Sequence, residues 1–139
     1  MTGKEARIAA AIARFQGREL DRRYLGYFDC FNRQLFYEAH EVLEPLWLAQ
    51  RRGPDGAFYK GLIQLAAAFV HLAKNRLRPA AALFRLAGAN LGQYSGTHEQ
   101  LDVQAARSMI QEWLSKLEAA AFTVNPLEAT RPPQLHLLD

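Results

Sequence analysis

The segment from about residue 55 to residue 75 constrains the fold of this chain more than any other stretch. Its apolar residues cover most of the circumference of a helical wheel, which predicts a central helix buried on several sides. They are Leu62, Ile63, Leu65, Ala66, Phe69, Val70 and Leu72. The apolar run 61–73 is too short to span a bilayer and is interrupted by Gln64 and His71, so we expect no membrane association.

The rest of the chain also has helical periodicity, and no alternating strand pattern is evident. We therefore predict an all-α fold, an irregular bundle of five to six helices in one domain over residues 1–139, with peripheral segments at both ends. Three predicted helices have both bounds: 3–15, about 18–31, and 55–75. The third helix begins at residue 34 or 35 and is expected to be kinked or restarted at Pro45. The fifth opens at Pro79, and the last is capped at Thr97 or Asp102. Asn32 is the expected left-handed stop of the second helix, and the tail 125–139 is expected to be extended.

Composition places the chain among folded globular proteins. A length of 139 residues fits one domain, and half of the residues are hydrophobic. The single cysteine, Cys30, rules out an intrachain disulfide and is expected to be a buried thiol rather than a nucleophile. With no apolar signal-peptide core at the N-terminus, the expected location is the cytoplasm.

Basic residues are concentrated between positions 51 and 85. They are Arg51, Arg52, Lys60, Lys74, Arg76, Arg78 and Arg85, opposed only by Asp55. Such a segment can form a face for an anionic partner, or it can consist of solvated helix ends. The net charge of +3 is small and no nucleic-acid motif is present, so the second interpretation is favoured and nucleic-acid binding is not expected.

The densest chemistry lies in the third predicted helix, which carries Glu38, His40, Glu41 and Glu44, with Trp47 one turn further along. The central helix has its own polar stripe, consisting of Lys60, Gln64, His71 and Asn75. Buried polar groups without partners cost about 1–3 kcal/mol each. We therefore expect Glu41 and Glu44 to meet Lys60, Gln64 or His71 across the helix pair.

Three interpretations of this polar centre remain open. It can be a structural hydrogen-bond network. It can line a groove, with Tyr37 and Trp47, that binds a protein or a small ligand without any cofactor. It can also hold a divalent metal through His40, Glu44 and His71, with Glu41 activating water as in a hydrolase. The sequence favours a non-enzymatic binding module, and its apolar stripes are compatible with a homodimer.

Two motifs together resemble a known family. They are Glu-Ala-His-Glu-x-x-Glu-x-x-Trp over residues 38–47 and Gly-Leu-Ile-Gln over residues 61–64. This combination, with Phe31-Asn32 before it, resembles the DUF309 family, small all-helical proteins of unknown function, over about residues 24–94. The resemblance implies a shared polar centre formed by Glu38, His40, Glu41, Glu44, Trp47, Gly61 and Gln64. The family usually has a glycine shortly after the Phe-Asn pair, where this chain has Arg33-Gln34.

Overall fold

The computed structural model describes residues 3–12 and 20–138, and the predicted all-α fold is confirmed. Its helices are α1 (Gly3–Ile12), α2 (Arg22–Asn32), α3 (Phe36–Gln50), α4 (Gly56–Ala73), α5 (Leu77–Leu91) and α6 (Val103–Ala119). Between α5 and α6 lies a two-residue strand pair, β1 (Thr97–His98) and β2 (Leu101–Asp102), and a short 3-10 turn spans Pro126–Glu128. Residues 13–15 of the first predicted helix, and the predicted start of the second at residue 18, lie outside the described residues.

Helix α4 is the centre of the bundle, as its apolar wheel predicts. It packs against α3 on one side and α5 on the other, while α2 adds to α3 and α6 to α5. The Phe69 ring contacts the rings of Phe31, Phe36, Phe84 and Trp113, so aromatic groups from five helices meet at α4. By length and hydropathy α4 could cross a membrane, but 67% of it is buried inside the protein, as a core helix would be.

Helices α2 and α6 begin at side-chain caps. The Asp21 side chain accepts a hydrogen bond from the Arg23 amide at the start of α2. Asp102, one of the two predicted caps of the last helix, accepts from the Ala105 amide. Pro79 lies in the first turn of α5, where its missing N–H costs no helical hydrogen bond. Of the two outcomes predicted at Pro45, the restart is wrong, because α3 is one helix from Phe36 to Gln50 with Pro45 inside it.

The turn after α2 differs from the prediction. Asn32 is the last residue of the helix, and Gln34 takes the left-handed conformation with φ 63°. Gln34 therefore adopts a backbone geometry for which glycine is the usual choice. The Asn32 side chain instead holds the C-terminal tail: its amide donates to the Leu135 carbonyl at 2.8 Å, and its oxygen accepts from the Leu135 amide at 2.7 Å.

The hairpin formed by β1 and β2 was not predicted. Its two turn residues, Glu99 and Gln100, both have positive φ values, 48° and 61°. Hairpin turns of this kind normally carry asparagine or glycine, so the sequence gives no local signal for one here. A tertiary contact supports the turn, because the Tyr24 hydroxyl donates to the Glu99 carbonyl at 2.9 Å.

Candidate functional site

The N-terminal helix covers the carboxylates of α3. Glu41 is only 2% exposed, although on an isolated α3 it would point towards solvent. Its carboxylate accepts one hydrogen bond from Arg7 Nε at 2.9 Å and a second, short one from Arg7 Nη2. Such a bidentate pair fixes both side chains, and the hydrogen bond to Glu41 raises the pKa of Arg7.

Glu44 lies one turn further along α3 and has two neighbours of its own. Lys4 Nζ donates to its Oε1 at 3.1 Å, and His40 Nε2 lies 3.2 Å from its Oε2. The hydrogen bond from Lys4 lowers the pKa of Glu44 and outweighs the opposing effect of burial. Glu38 is half-buried and adds to the negative charge around Arg7. One cationic face of α1 thus neutralises the acidic side of α3.

The predicted partners of Glu41 and Glu44 were therefore wrong. Both carboxylates are held by α1, which was expected to be peripheral, and not by Lys60, Gln64 or His71 of α4. The physical reason is that α3 presents its apolar arc to α2 and α4, which leaves the carboxylates on the side that α1 covers. The pairing of His40 with Glu44 along one helix face agrees with their spacing.

The polar stripe of α4 finds other partners. The Gln64 oxygen accepts from Asn90 Nδ2 at 2.7 Å, which satisfies an amide that is 8% exposed. Beside it, a Cβ on Gly61 would lie 3.0 Å from Leu91 Cγ, so α4 and α5 cross closely there. Lys60 places its ammonium 4.2 Å from the centroid of the Trp47 ring, a cation–π contact between α4 and α3.

A small pocket opens between α3 and α4. It has a volume of about 180 Å³ and is lined by Tyr37, His40, Ala67, Val70 and His71. The Tyr37 side chain is 54% exposed at its edge. Within the described part of the chain, His71 Nδ1 is buried and has no hydrogen-bond partner. Burial lowers the pKa of both His40 and His71, so both imidazoles are neutral at pH 7.

The geometry does not support the proposed metal ligands. Three ligand atoms come within 4.8 Å of one another in only one set of described residues, Asp55, His98 and Glu99. His40, Glu44 and His71 form no such set, and the Lys4 ammonium already binds the Glu44 carboxylate. Glu41 is buried beneath Arg7, which leaves it no free oxygen to activate water. The metal hypothesis thus rests on the sequence pattern alone.

His98 lies in a polar and aromatic cluster at the start of α4. Its Nε2 lies 2.7 Å from Asp55 Oδ1, and its ring centroid is 4.6 Å from those of Phe58 and Tyr94. Asp55 is the N-cap residue of α4 but makes no capping hydrogen bond. The pair instead connects the β1–β2 hairpin to the start of α4. Because the two residues are 43 positions apart, no local sequence pattern predicts this contact.

Several basic residues of segment 51–85 lie at opposite ends of α4. Arg51 and Arg52 precede α4 and Arg76 follows it, and an 18-residue helix separates them by about 27 Å. Arg78 stacks on the Phe122 ring at 4.6 Å, and Arg85 lies 3.9 Å from Glu118. This supports the interpretation as helix ends.

Cys30 is the buried thiol that was expected. It is 3% exposed, and burial raises its pKa to about 11. A thiol with such a pKa is protonated at neutral pH and is therefore a poor nucleophile.

The comparison with protein families agrees with the resemblance seen in the sequence. Residues 24–83 match the family model described as "Domain of unknown function (DUF309)". The matched residues 24–83 are called the DUF309 segment. Neither a curated protein nor a solved structure matches the chain significantly. The DUF309 segment contains Glu41, Glu44 and Gln64, whereas their partners Arg7, Lys4 and Asn90 lie outside it.

Proposed function

We propose that the DUF309 segment is a non-enzymatic binding module, and that its α3–α4 pocket receives one aromatic side chain of a partner protein. The observation that carries this proposal is the pocket lined by Tyr37, His40, Ala67, Val70 and His71. Pockets for small molecules and cofactors usually measure about 300–1,000 Å³. A volume of about 180 Å³ is better matched by a single side chain.

The lining of the pocket supports an aromatic anchor with a polar tip. Ala67 and Val70 offer an apolar wall, and the half-exposed Tyr37 ring provides a contact of the kind that dominates protein interfaces. His40 and His71 add two imidazoles to the lining. A neutral imidazole can donate or accept a hydrogen bond, which suits the tyrosine hydroxyl or the tryptophan N–H of an inserted side chain.

Side-chain mimics test the proposal directly. Titrating p-cresol and indole into ¹⁵N-labelled protein is expected to shift resonances of His71, Val70 and Tyr37 in a saturable manner. Ala67→Leu fills the pocket and is expected to abolish these shifts. Ala73→Leu makes the same change at an exposed end of α4 and is expected to leave them intact.

Two results would contradict the proposal. One is the absence of saturable shifts at the pocket in a folded protein. The other is equal binding by the Ala67→Leu and Ala73→Leu variants, since that would place the mimics outside the pocket.

A further inference from the structure

A second and larger groove lies between α5 and α6. Its volume is about 500 Å³, which falls in the range of about 300–1,000 Å³ that is typical of small-molecule sites. All of its lining residues are at position 84 or beyond, outside the DUF309 segment 24–83. Any ligand of this groove would therefore be a property of this chain and not of the family segment.

The charged residues that line the groove are all basic. Its charged lining residues are Arg85 and Arg107, and no carboxylate is among the described residues that line it. Arg85 lies 3.9 Å from Glu118, with both side chains about half exposed, and surface pairs of this kind contribute about 0–1 kcal/mol. Arg85 can therefore turn from Glu118 towards an anion in the groove at little cost.

Arg107 is held at the end of the groove by packing. A Cβ on Gly92 would lie 3.2 Å from Arg107 Nη2, so the guanidinium rests against the C-terminal end of α5. Helix C-termini attract cations, which favours this position. Within the described residues, the Arg107 guanidinium makes no hydrogen bond and no ion pair, so its donors are available to a ligand.

The remaining walls are of two kinds. Phe84 and Ile110, which are 0% and 3% exposed, form an apolar floor. The space above Gly88 is open, because an added Cβ would meet only Ile110 Cγ2, at 3.7 Å. Along α6, Gln104 and Ser108 present an amide and a hydroxyl one turn apart on the groove side.

We propose that this groove binds a small ligand that carries a phosphate monoester on an apolar body. The phosphate lies between the guanidinium groups of Arg85 and Arg107, and the apolar body packs on Phe84 and Ile110. Arginine binds phosphate oxygens in a bidentate manner, and two guanidiniums match the double charge of a monoester better than the single charge of a carboxylate.

Phenyl phosphate is the probe for the test. Phenol and inorganic phosphate, which correspond to its apolar and charged halves, are the comparison ligands. Titrated into the full chain and followed by NMR, phenyl phosphate is expected to bind more tightly than either half. Arg107→Gln removes a bidentate, charge-assisted contact and is expected to weaken the binding of phenyl phosphate at least about tenfold. Arg52→Gln removes the same charge from an exposed turn and is expected to leave the affinity unchanged.

Gly88→Leu fills the groove at a helical position with open space and is expected to abolish binding while the circular dichroism spectrum stays native. The proposal is overturned if phenyl phosphate does not bind, if phenol binds equally well, or if Arg52→Gln weakens binding as much as Arg107→Gln.

Vesicles then identify the source of the phosphate. Displacement of phenyl phosphate by vesicles containing phosphatidic acid, but not by pure phosphatidylcholine vesicles, assigns the site to a lipid headgroup. Failure of both vesicles to displace it assigns the site to a soluble monoester. Either result supports the shared chemistry.

Discussion

Helices α3 and α4 carry the two motifs that resemble the DUF309 family, yet the buried polar groups of the two helices have different kinds of partner. Glu41 of α3 is neutralised by a guanidinium from α1, 34 residues earlier in the chain. Gln64 of α4 is satisfied by a neutral amide, Asn90 of α5, 26 residues later. The first contact brings a charge into the protein from a peripheral helix. The second lies beside a helix crossing so close that a Cβ on Gly61 would lie 3.0 Å from Leu91 Cγ.

This difference separates two kinds of buried polar contact. An amide pair beside a tight crossing depends on shape and is indifferent to pH. A buried carboxylate depends on one cationic partner, and it becomes costly as soon as that partner leaves. The α3 side is therefore expected to respond to charge changes and the α4 side to volume changes.

The largest expected effect comes from volume at the α4–α5 crossing. Gly61→Leu would force a side chain into Leu91 and Asn90, and we expect a loss of about 3 kcal/mol in the free energy of unfolding, measured with urea. Gly88→Ala, whose Cβ would make an ordinary contact, is the control and is expected to cost nothing. Equal stability of the two variants would show that the crossing is not tight.

Removing the charge of Glu41 probes the α3 side. Glu41→Gln keeps the shape but loses the bidentate ion pair with Arg7, and we expect a loss of about 2 kcal/mol. Glu118→Gln at the half-exposed pair with Arg85 is the matched control and is expected to change stability by less than about 0.5 kcal/mol. Adding Arg7→Gln to Glu41→Gln is expected to cause little further loss, whereas additive losses would mean that the two residues do not act as a pair.

A smaller effect is expected from Gln64→Ala. It leaves the Asn90 amide without its acceptor, and we expect a loss of about 1 kcal/mol. Because neither amide titrates, the loss is expected to be the same at about pH 5.5 and about pH 7.5. A loss that changes between these pH values would indicate that Gln64 is coupled to a charged group.

The smallest effect is a dependence on pH. Burial lowers the pKa of His40 and His71 below the ordinary value of 6.5, so the unfolded chain binds protons more readily than the folded protein. Stability is expected to fall as pH drops below 6.5 towards the lowered values, by about 3 °C or less in Tm. The lowered pKa of Glu44 adds a loss only below its ordinary value of 4.5.

The double variant His40→Gln, His71→Gln is expected to flatten the profile above about pH 5. If the stability of the wild-type protein instead rose as the pH fell below 6.5, the lowered pKa values of His40 and His71 would be contradicted.

Local patterns predicted what depends on single helices. The apolar wheel of α4 predicted its burial, and the contact between His40 and Glu44 fits their spacing of one helical turn. Gly61 and Gln64 belong to the Gly-Leu-Ile-Gln motif that resembles the DUF309 family, and both contact α5. The Glu99-Gln100 hairpin was not predicted, because its left-handed residues are neither asparagine nor glycine.

What the sequence determined by itself is the all-α class and the central helix, because helical periodicity is a local property. Only the tertiary structure decided which groups satisfy the polar side chains of α3 and α4. Arg7 and Asn90 are separated from Glu41 and Gln64 by whole helices, and the packing angle of those helices selects the partner. The two cavities are likewise products of packing, since each is a space left between two helices whose own sequences give no sign of it.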